Sequence, residues 1–334
     1  MGREGEDRRA TVHLAASGGG HLELLTSLAH ELEDYRIVWV ASPGARAARL
    51  LEAGEIVRLL PNPGRRALGY GANLRACLGA LARERPRVVI AAGAGSIVPF
   101  SVLARAVGAK VIFIETMARV TDPSASGRVL SRIACQALVQ WPEMGRVYKR
   151  SIVCRPALFE QVSPPRGDGE GTFVAVGTHS QPFDRLLELV DRAVDSGLLP
   201  APIRAQVGVS RYRPRTYRAR PWLAPHEIEE AVHAARYVVC HAGSGIISSA
   251  LRAGRRPLVL ARLRRHGEHF DDHQTQLAGR LHELGLAVAL GERLTAEDLR
   301  KADHGPRQPT FAPELPSVAE ALRRTLRLAS LGTE

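Results

Sequence analysis

The residues with most chemistry to offer lie in short glycine-rich turns. Cys240-His241-Ala242-Gly243-Ser244-Gly245 follows the apolar run Tyr237-Val238-Val239 and leads into Ile246-Ile247-Ser248-Ser249, a helically spaced segment closed by Gly254. A buried strand, a small-residue turn and a helix leave backbone N–H groups aimed at whatever sits over the turn. The helix dipole adds about half a positive charge there. Ser244 can cap the helix or offer its hydroxyl to a phosphate oxygen. The turn therefore predicts a seat for the diphosphate of a nucleotide-sugar. The plainer alternative is an ordinary strand-to-helix turn whose glycines relieve crowding.

Six further tracts carry candidate groups. In Ser17-Gly18-Gly19-Gly20-His21 the glycines permit close approach of backbone to phosphate, and His21 opens the next helix as a general base or an anion donor. Glu115-Thr116-Met117-Ala118-Arg119-Val120 places a carboxylate just past a strand end, where it can take a proton from a sugar hydroxyl or form a Glu115–Arg119 ion pair that fixes the loop. Val176-Gly177-Thr178-His179 reads as another strand-to-helix turn, and Gln140-Trp141-Pro142-Glu143 as a cleft wall or simple packing of Trp141. His266 to Gln274 holds three histidines and three carboxylates but no HExxH pattern, so no metal is expected. Asp272-His273-Gln274 at a helix start suits sugar hydroxyls. Arg211 to Arg220 is basic with interleaved tyrosines, yet no nucleic-acid-binding motif accompanies it; a solvated loop is the leading reading, a phosphate or anionic-lipid contact the second.

The elements that must position these groups alternate. Strands are predicted at 12–16, 37–41, 56–60, 88–92 and 111–114, with helices at 22–32, 45–53, 73–83 and 96–107 between them. The pattern lapses at Arg155 to Gly171, a linker rich in Pro and Gly. It restarts with strands at 173–176, 203–207, 258–260 and 287–290 and helices at 182–196, 227–234 and 273–284; two more helices start at Ala296 and Val318. Such alternation implies doubly wound parallel sheets, in which ligands bind beyond the carboxyl ends of the strands, where both glycine turns fall.

A chain of 334 residues suits two domains. Aromatics at 5% are too sparse for single-stranded nucleic-acid platforms. The net charge of +12 is almost all arginine, since Lys110, Lys149 and Lys301 are the only lysines. Arginine-biased composition explains that, as does attraction to anionic membrane or phosphorylated substrate. Cys77, Cys135, Cys154 and Cys240 show no CxxC spacing and read as buried thiols of a reducing compartment. The charged first ten residues predict no signal peptide. The apolar region 88–114 is broken by Gly93, Gly95, Pro99, Arg105 and Lys110, so any membrane contact is expected to be peripheral.

Taken in order, Gly19-Gly20-His21, Glu115 to Val120 and Gln140 to Glu143 resemble the acceptor half of the two-part glycosyltransferase family that works on polyprenyl-diphosphate sugars. Val176-Gly177-Thr178 with Pro182 to Leu186, Gln206-Val207-Gly208, His241 to Gly245 and His269 to Gln274 resemble its donor half. The two halves, usually separate chains, here stand fused; the tract around Gln140 is similar to bacterial exopolysaccharide members, and the peptidoglycan N-acetylglucosaminyltransferase is a more distant relative. The resemblance implies a GT-B fold, two Rossmann-like doubly wound domains facing a cleft, with an acceptor domain at 1–160 and a donor domain at 171–334 whose last helix can pack back on the first. It implies a UDP-sugar substrate, inversion at the anomeric carbon, and no cofactor or metal. Carried over by position, Gly243, Ser244 and Gly245 meet the donor diphosphate, Gln274 meets the donor sugar, and Gly19, Gly20 and His21 face the acceptor diphosphate or the reacting hydroxyl. Gly177, Thr178, His241, Ser249, Asp272 and His273 join them as donor-binding candidates, and Gly18 and Arg119 as acceptor-binding ones. On their own chemistry, His21 or Glu115 is the expected base. Relatives often carry a ribose-binding Glu where this chain has Ser249, and their acceptor half usually has an N-terminal apolar segment, which the charged first ten residues here do not predict. The expected function is transfer of a sugar to a lipid-linked saccharide in cell-surface polysaccharide synthesis, in the cytoplasm or at the inner face of the membrane, with no nucleic acid partner. Alternatives are a UDP-sugar epimerase or hydrolase, a transferase with a small-molecule acceptor, and a non-catalytic subunit that binds lipid-linked saccharide.

Overall fold

The computed structural model describes residues 9–64, 67–93, 95–309 and 314–331. Two compact units emerge, one of Met1–Pro156 with Pro313–Glu334 and one of Ala157–Ala312.

The first unit is built on seven parallel strands: β1 (Thr11–Ala16), β2 (Arg36–Ala41), β3 (Val57–Leu59), β4 (Val88–Ala92), β5 (Lys110–Ile114), β6 (Gln136–Val139) and β7 (Ser151–Val153), in the order β3-β2-β1-β4-β5-β6-β7. Its helices are α1 (Gly20–Leu28), α2 (Ala45–Glu52), α3 (Ala67–Arg83), α4 (Val98–Ala106), α5 (Ala125–Ile133) and α6 (Pro142–Val147). Helices cover both faces, so central strands such as VVIAA of β4 are buried along their whole length. α3 starts at Ala67, ahead of the predicted start at Asn73, whose buried amide donates to the carbonyls of Pro61 and Ser96 and ties two loops to the helix.

The second unit has six parallel strands, β8 (Thr172–Ala175), β9 (Ile203–Gln206), β10 (Ala219–Arg220), β11 (Tyr237–His241), β12 (Leu258–Leu260) and β13 (Val288–Ala289), ordered β10-β9-β8-β11-β12-β13. Around them stand α7 (Asp184–Asp195), α8 (Pro225–Ala234), α9 (Ser244–Arg252), α10 (His273–Glu283) and α11 (Ala296–Asp303). The final helix, α12 (Val318–Leu331), belongs to the first unit. Val318, Leu322 and Leu326 enter that unit's core, and Lys110 Nζ donates to the Ala329 carbonyl at 2.7 Å. The second unit thus ends at 312, and the last helix packs back on the first unit, as the sequence reading allowed.

Three expectations need correction or refinement. The Pro/Gly stretch after Arg155 is not a loose linker, because it is laid down on the second unit. Ser163 N bonds Leu251 O, Arg166 N bonds Gly254 O and Glu170 N bonds Ala234 O. A Cβ at Gly254 would stand 2.2 Å from Pro164 O, so this glycine closes α9 and also admits the crossing chain. The basic loop 211–220 is largely exposed, as the solvated reading expects, but it is also anchored. Asp184 accepts from the amides of Arg211 and Tyr212, and the buried Asp191 accepts from Tyr212 Oη, Arg215 N and Thr216 Oγ1. Cys135 is exposed, whereas Cys77, Cys154 and Cys240 are buried, and burial pushes the Cys77 thiol up to about 11.

Candidate active site

Each sheet has one point where its strand order reverses direction, between β1 and β4 in the first and between β8 and β11 in the second. Both glycine turns sit at these switch points. Register alone puts them there: Ala16 pairs with Ala92, and Ala175 with Cys240, so the turns that follow leave the sheet side by side.

In the first unit, Gly19 (φ 71°) caps α1, and Gly20 and His21 form its first turn. Gly93, after β4, has φ 124°, and a Cβ there would lie 2.3 Å from Ser17 Oγ and 3.1 Å from His21 Cγ. Only glycine lets the two turns close, with the His21 ring against the second. Sequence reasoning did not assign Gly93 a role; its position just past a buried strand was the available signal.

Glu115 is not placed as a base. Its carboxylate is buried and accepts from Thr116 N, Ser124 N, Ser124 Oγ and, at 2.6 Å, Tyr148 Oη. With both oxygens committed, it fixes the loop after β5 to the start of α5. Burial and the adjacent carboxylate push the Tyr148 hydroxyl far above its usual pKa, so it stays a donor. Gln140 donates to Glu115 O and Trp141 Nε1 to Met117 O at 2.6 Å, so this pair clamps the same loop from β6. Arg119 closes that loop through its amide on Thr116 O.

In the second unit, Gly243 is the N-cap of α9, and Ser244 is its first residue rather than its cap. The first amides of a helix have no intrahelical acceptor, so those of Ser244, Gly245 and Ile246 remain for a ligand. His241 is wedged between two glycines. A Cβ at Gly177 (φ 85°) would stand 2.4 Å from its Cε1, and one at Gly243 2.1 Å from its Nε2. Its Nδ1 faces Ala175 O at 3.4 Å. Burial, with the Arg262 guanidinium next in weight, holds this imidazole down at about 3, so it is neutral. Thr178 is exposed at the head of the same turn.

Arg262 was not foreseen, having no motif around it. It is 1% exposed, and its guanidinium donates to the carbonyls of Val176, Gln181, Pro182 and Glu268. One side chain thereby locks the turn after β8 to the loop after β12. The Arg262 amide donates to Gln274 Oε1 at 3.1 Å, which orients Gln274 and leaves its amide nitrogen outside that bond. Asp272 accepts from Arg264 N, a structural bond rather than an open carboxylate. Arg185 pairs with buried Glu268 beneath the same loop. His273 and His269 both meet Asp271.

Two more residues escaped sequence reasoning. Ser249 donates to Glu229 Oε1 at 2.8 Å, and Arg252 donates to the same oxygen. A carboxylate from α8 therefore reaches the position where α9 itself lacks one. Trp222, 47% exposed, lies 3.6 Å from the point where a Cβ of Gly208 would sit, beside the turn after β8.

The profile of the family described as "Oligosaccharide biosynthesis protein Alg14 like" matches residues 71–155. Over 327 residues the chain is 28% identical to the UDP-N-acetylglucosamine--N-acetylmuramyl-(pentapeptide) pyrophosphoryl-undecaprenol N-acetylglucosamine transferase of Burkholderia cenocepacia (strain HI2424), covering 87% of this chain and 86% of that protein. The protein of the same name from Xylella fastidiosa (strain M12) is 24% identical over 84% of this chain and 82% of its own. Among solved structures, Acinetobacter baumannii MurG matches with a TM-score of 0.63 at 19% identity, over 96% of this chain and 99% of that one. UDP-GlcNAc 2-epimerase from Methanocaldococcus jannaschii matches with 0.64 at 12% identity, over 96% and 100%. Fold similarity is thus shared between transferases and epimerases, while the full-length sequence similarity lies with the transferases. The chain thus has the GT-B fold, is similar over most of its length to peptidoglycan N-acetylglucosamine transferases, and carries an Alg14-like segment at residues 71–155.

Proposed function

We propose that this chain moves a sugar, N-acetylglucosamine first among candidates, from a UDP-sugar to a hydroxyl of a polyprenyl-diphosphate-linked saccharide, with inversion. The observation that carries the reading is the pair of glycine-rich helix starts, one at each sheet's switch point, in a chain similar throughout to transferases of that kind.

The donor diphosphate lies on the amides of Ser244, Gly245 and Ile246, with Gly243 and Gly177 keeping the approach open. As the bond from the anomeric carbon to the diphosphate oxygen breaks, those preorganised dipoles and the α9 N-terminus stabilise the charge on the departing UDP. Gln274 and His273 meet the donor sugar, the Glu229–Ser249 pair meets the ribose, and Trp222 offers its ring face to the base. In the first unit, Gly18, Gly19 and Gly20 give the acceptor diphosphate a backbone seat, with Arg119 as countercharge. His21 takes the proton of the attacking hydroxyl as its oxygen bonds to the anomeric carbon. Glu115 positions the acceptor loop and takes no proton.

Membrane contact, on this reading, runs through α3, where Leu68, Tyr70, Leu74 and Leu78 are exposed next to Arg75. No helix among the described residues is long and apolar enough to cross a membrane.

The test is transfer of label from UDP-N-acetylglucosamine to a polyprenyl-diphosphate-linked saccharide, with UDP binding followed by calorimetry. Binding of UDP without transfer to any lipid-linked acceptor would leave the acceptor assignment without support. The similarity in fold to 2-epimerases favours one second reading. Epimerised or hydrolysed sugar from UDP-N-acetylglucosamine alone would establish it in place of transfer.

A further inference from the structure

The tract that leads into α10 gathers a metal-ligand set in which His273, assigned above to the donor sugar, is joined by two side chains that the transfer reaction does not use. His269 and His273 are four residues apart, with Asp271 between them. His269 Nδ1 lies 3.3 Å from Asp271 Oδ1, and His273 Nδ1 hydrogen-bonds that same oxygen. One ligand atom from each of the three side chains lies within 4.8 Å of the other two, the only such trio of His, Cys, Asp or Glu among the described residues. Both imidazoles are largely buried, with side chains 14% and 15% exposed, while that of Asp271 is 40% exposed. Packing holds the rings in place. His179 lies against His269 with centroids 4.6 Å apart, and Phe270 meets both rings edge-on.

Two imidazole nitrogens and one carboxylate oxygen suit borderline first-row ions. Zinc–ligand distances of about 2.0–2.2 Å set ligand atoms roughly 3–3.5 Å apart. The trio meets that with small rotations, the closest pair opening and the widest closing. Magnesium and calcium prefer oxygen cages and fit poorly.

We propose that His269, Asp271 and His273 form a divalent transition-metal site that takes Zn²⁺ or a similar ion and leaves at least one coordination position open. The site is an addition to the transferase machinery rather than a requirement of it. Its effect on the donor rests on the functional reading above. His273 begins α10 and directly precedes Gln274, so a bound ion pins the segment assigned to the donor sugar. It also adds positive charge on the strand-end side assigned to the diphosphate. Zn²⁺ and UDP then bind with positive coupling, and the coupling is reciprocal.

The experiment uses the full chain, freed of any affinity tag and dialysed against chelator. Zn²⁺ alone is titrated in competition with a chromophoric indicator, with Mg²⁺ as comparison. The expected result is one equivalent of zinc at micromolar or tighter affinity and none of Mg²⁺. His269→Ala and His273→Ala should each weaken zinc binding tenfold or more. His226→Ala, on the exposed start of α8, should leave it unchanged. His269→Gln and His273→Gln retain size and polarity and serve if an alanine variant melts early without metal. Zinc bound as tightly by the double variant as by the parent chain, or no zinc bound by the parent, overturns the site. UDP binding measured in chelator is a separate readout. Its absence would sink the functional reading while leaving the metal result standing, and UDP binding indifferent to zinc would sink the coupling alone.

Discussion

Gly177→Ala offers the sharpest test of how the second unit builds its anion seat. Two costs are separable. A side chain at φ 85° carries left-handed strain of about 1–2 kcal/mol. The new methyl would also stand 2.4–2.5 Å from the His241 ring, which is blocked by Gly243 on its other side and faces Ala175 O through Nδ1. Overpacking of that kind costs about 1–3 kcal/mol. The variant should lose roughly 2–5 kcal/mol, a drop of about 4–20 °C in the melting of a unit this size. In a His241→Ala background the steric part vanishes, and the same substitution should cost only the backbone strain, about 1–2 kcal/mol. A urea double-mutant cycle, read with a probe in the second unit, measures the difference. UDP affinity should fall tenfold or more in Gly177→Ala, because a displaced His241 pushes on the N-cap of α9. If Gly177→Ala costs the same with and without His241, the ring is not wedged, and the account of this turn is wrong.

His21→Ala should reduce sugar transfer by at least about a hundredfold with UDP binding intact, whereas Glu115→Gln should lower stability by about 1–3 kcal/mol and spare most of the chemical step in the protein that folds; the opposite pattern in single-turnover assays would return the base to Glu115. Glu229→Gln should weaken UDP binding about tenfold with little change for a ribose-free diphosphate, and equal losses for both would remove it from the ribose subsite. Acid should destabilise both units through histidines held neutral. Burial lowers His13 to about 4 and His241 to about 3, so the unfolded chain binds more protons below about 6.5. Stability is therefore whole above that pH and falls as pH drops toward the folded values. The loss is roughly 1.4 kcal/mol per unit for each group, or about 2 kcal/mol each at pH 5. Urea midpoints at pH 7.5 and 5 check this, and His13→Leu should flatten the first unit's share; an unchanged slope would contradict it.

Much of the machinery was legible before any coordinates. Alternating apolar runs and helical spacing mark most strands of both sheets, because a strand covered on both faces must be apolar, as β4 is throughout and β11 is up to His241. The glycine turns were legible for a related reason: a backbone that approaches a phosphate or closes against a neighbouring turn excludes side chains. β7 and β10 were not read from the sequence, although β3, β12 and β13 are as short and were.

What a residue does with its polar atoms lay beyond the sequence, since that depends on partners far away in the chain. Glu115 reads as a base beside a strand end, yet Tyr148, 33 positions on, and Ser124 use its oxygens. Arg262 reads as one arginine among many, yet it is the buried tie between two site loops. Ser249 reads as a lost carboxylate until Glu229 arrives from another helix. Local pattern determined the elements and the glycine turns, because those obey short-range sterics and burial. Tertiary structure decided which charges are spent on holding loops and which are left for a ligand, because a hydrogen bond is assigned only once both of its ends are in place.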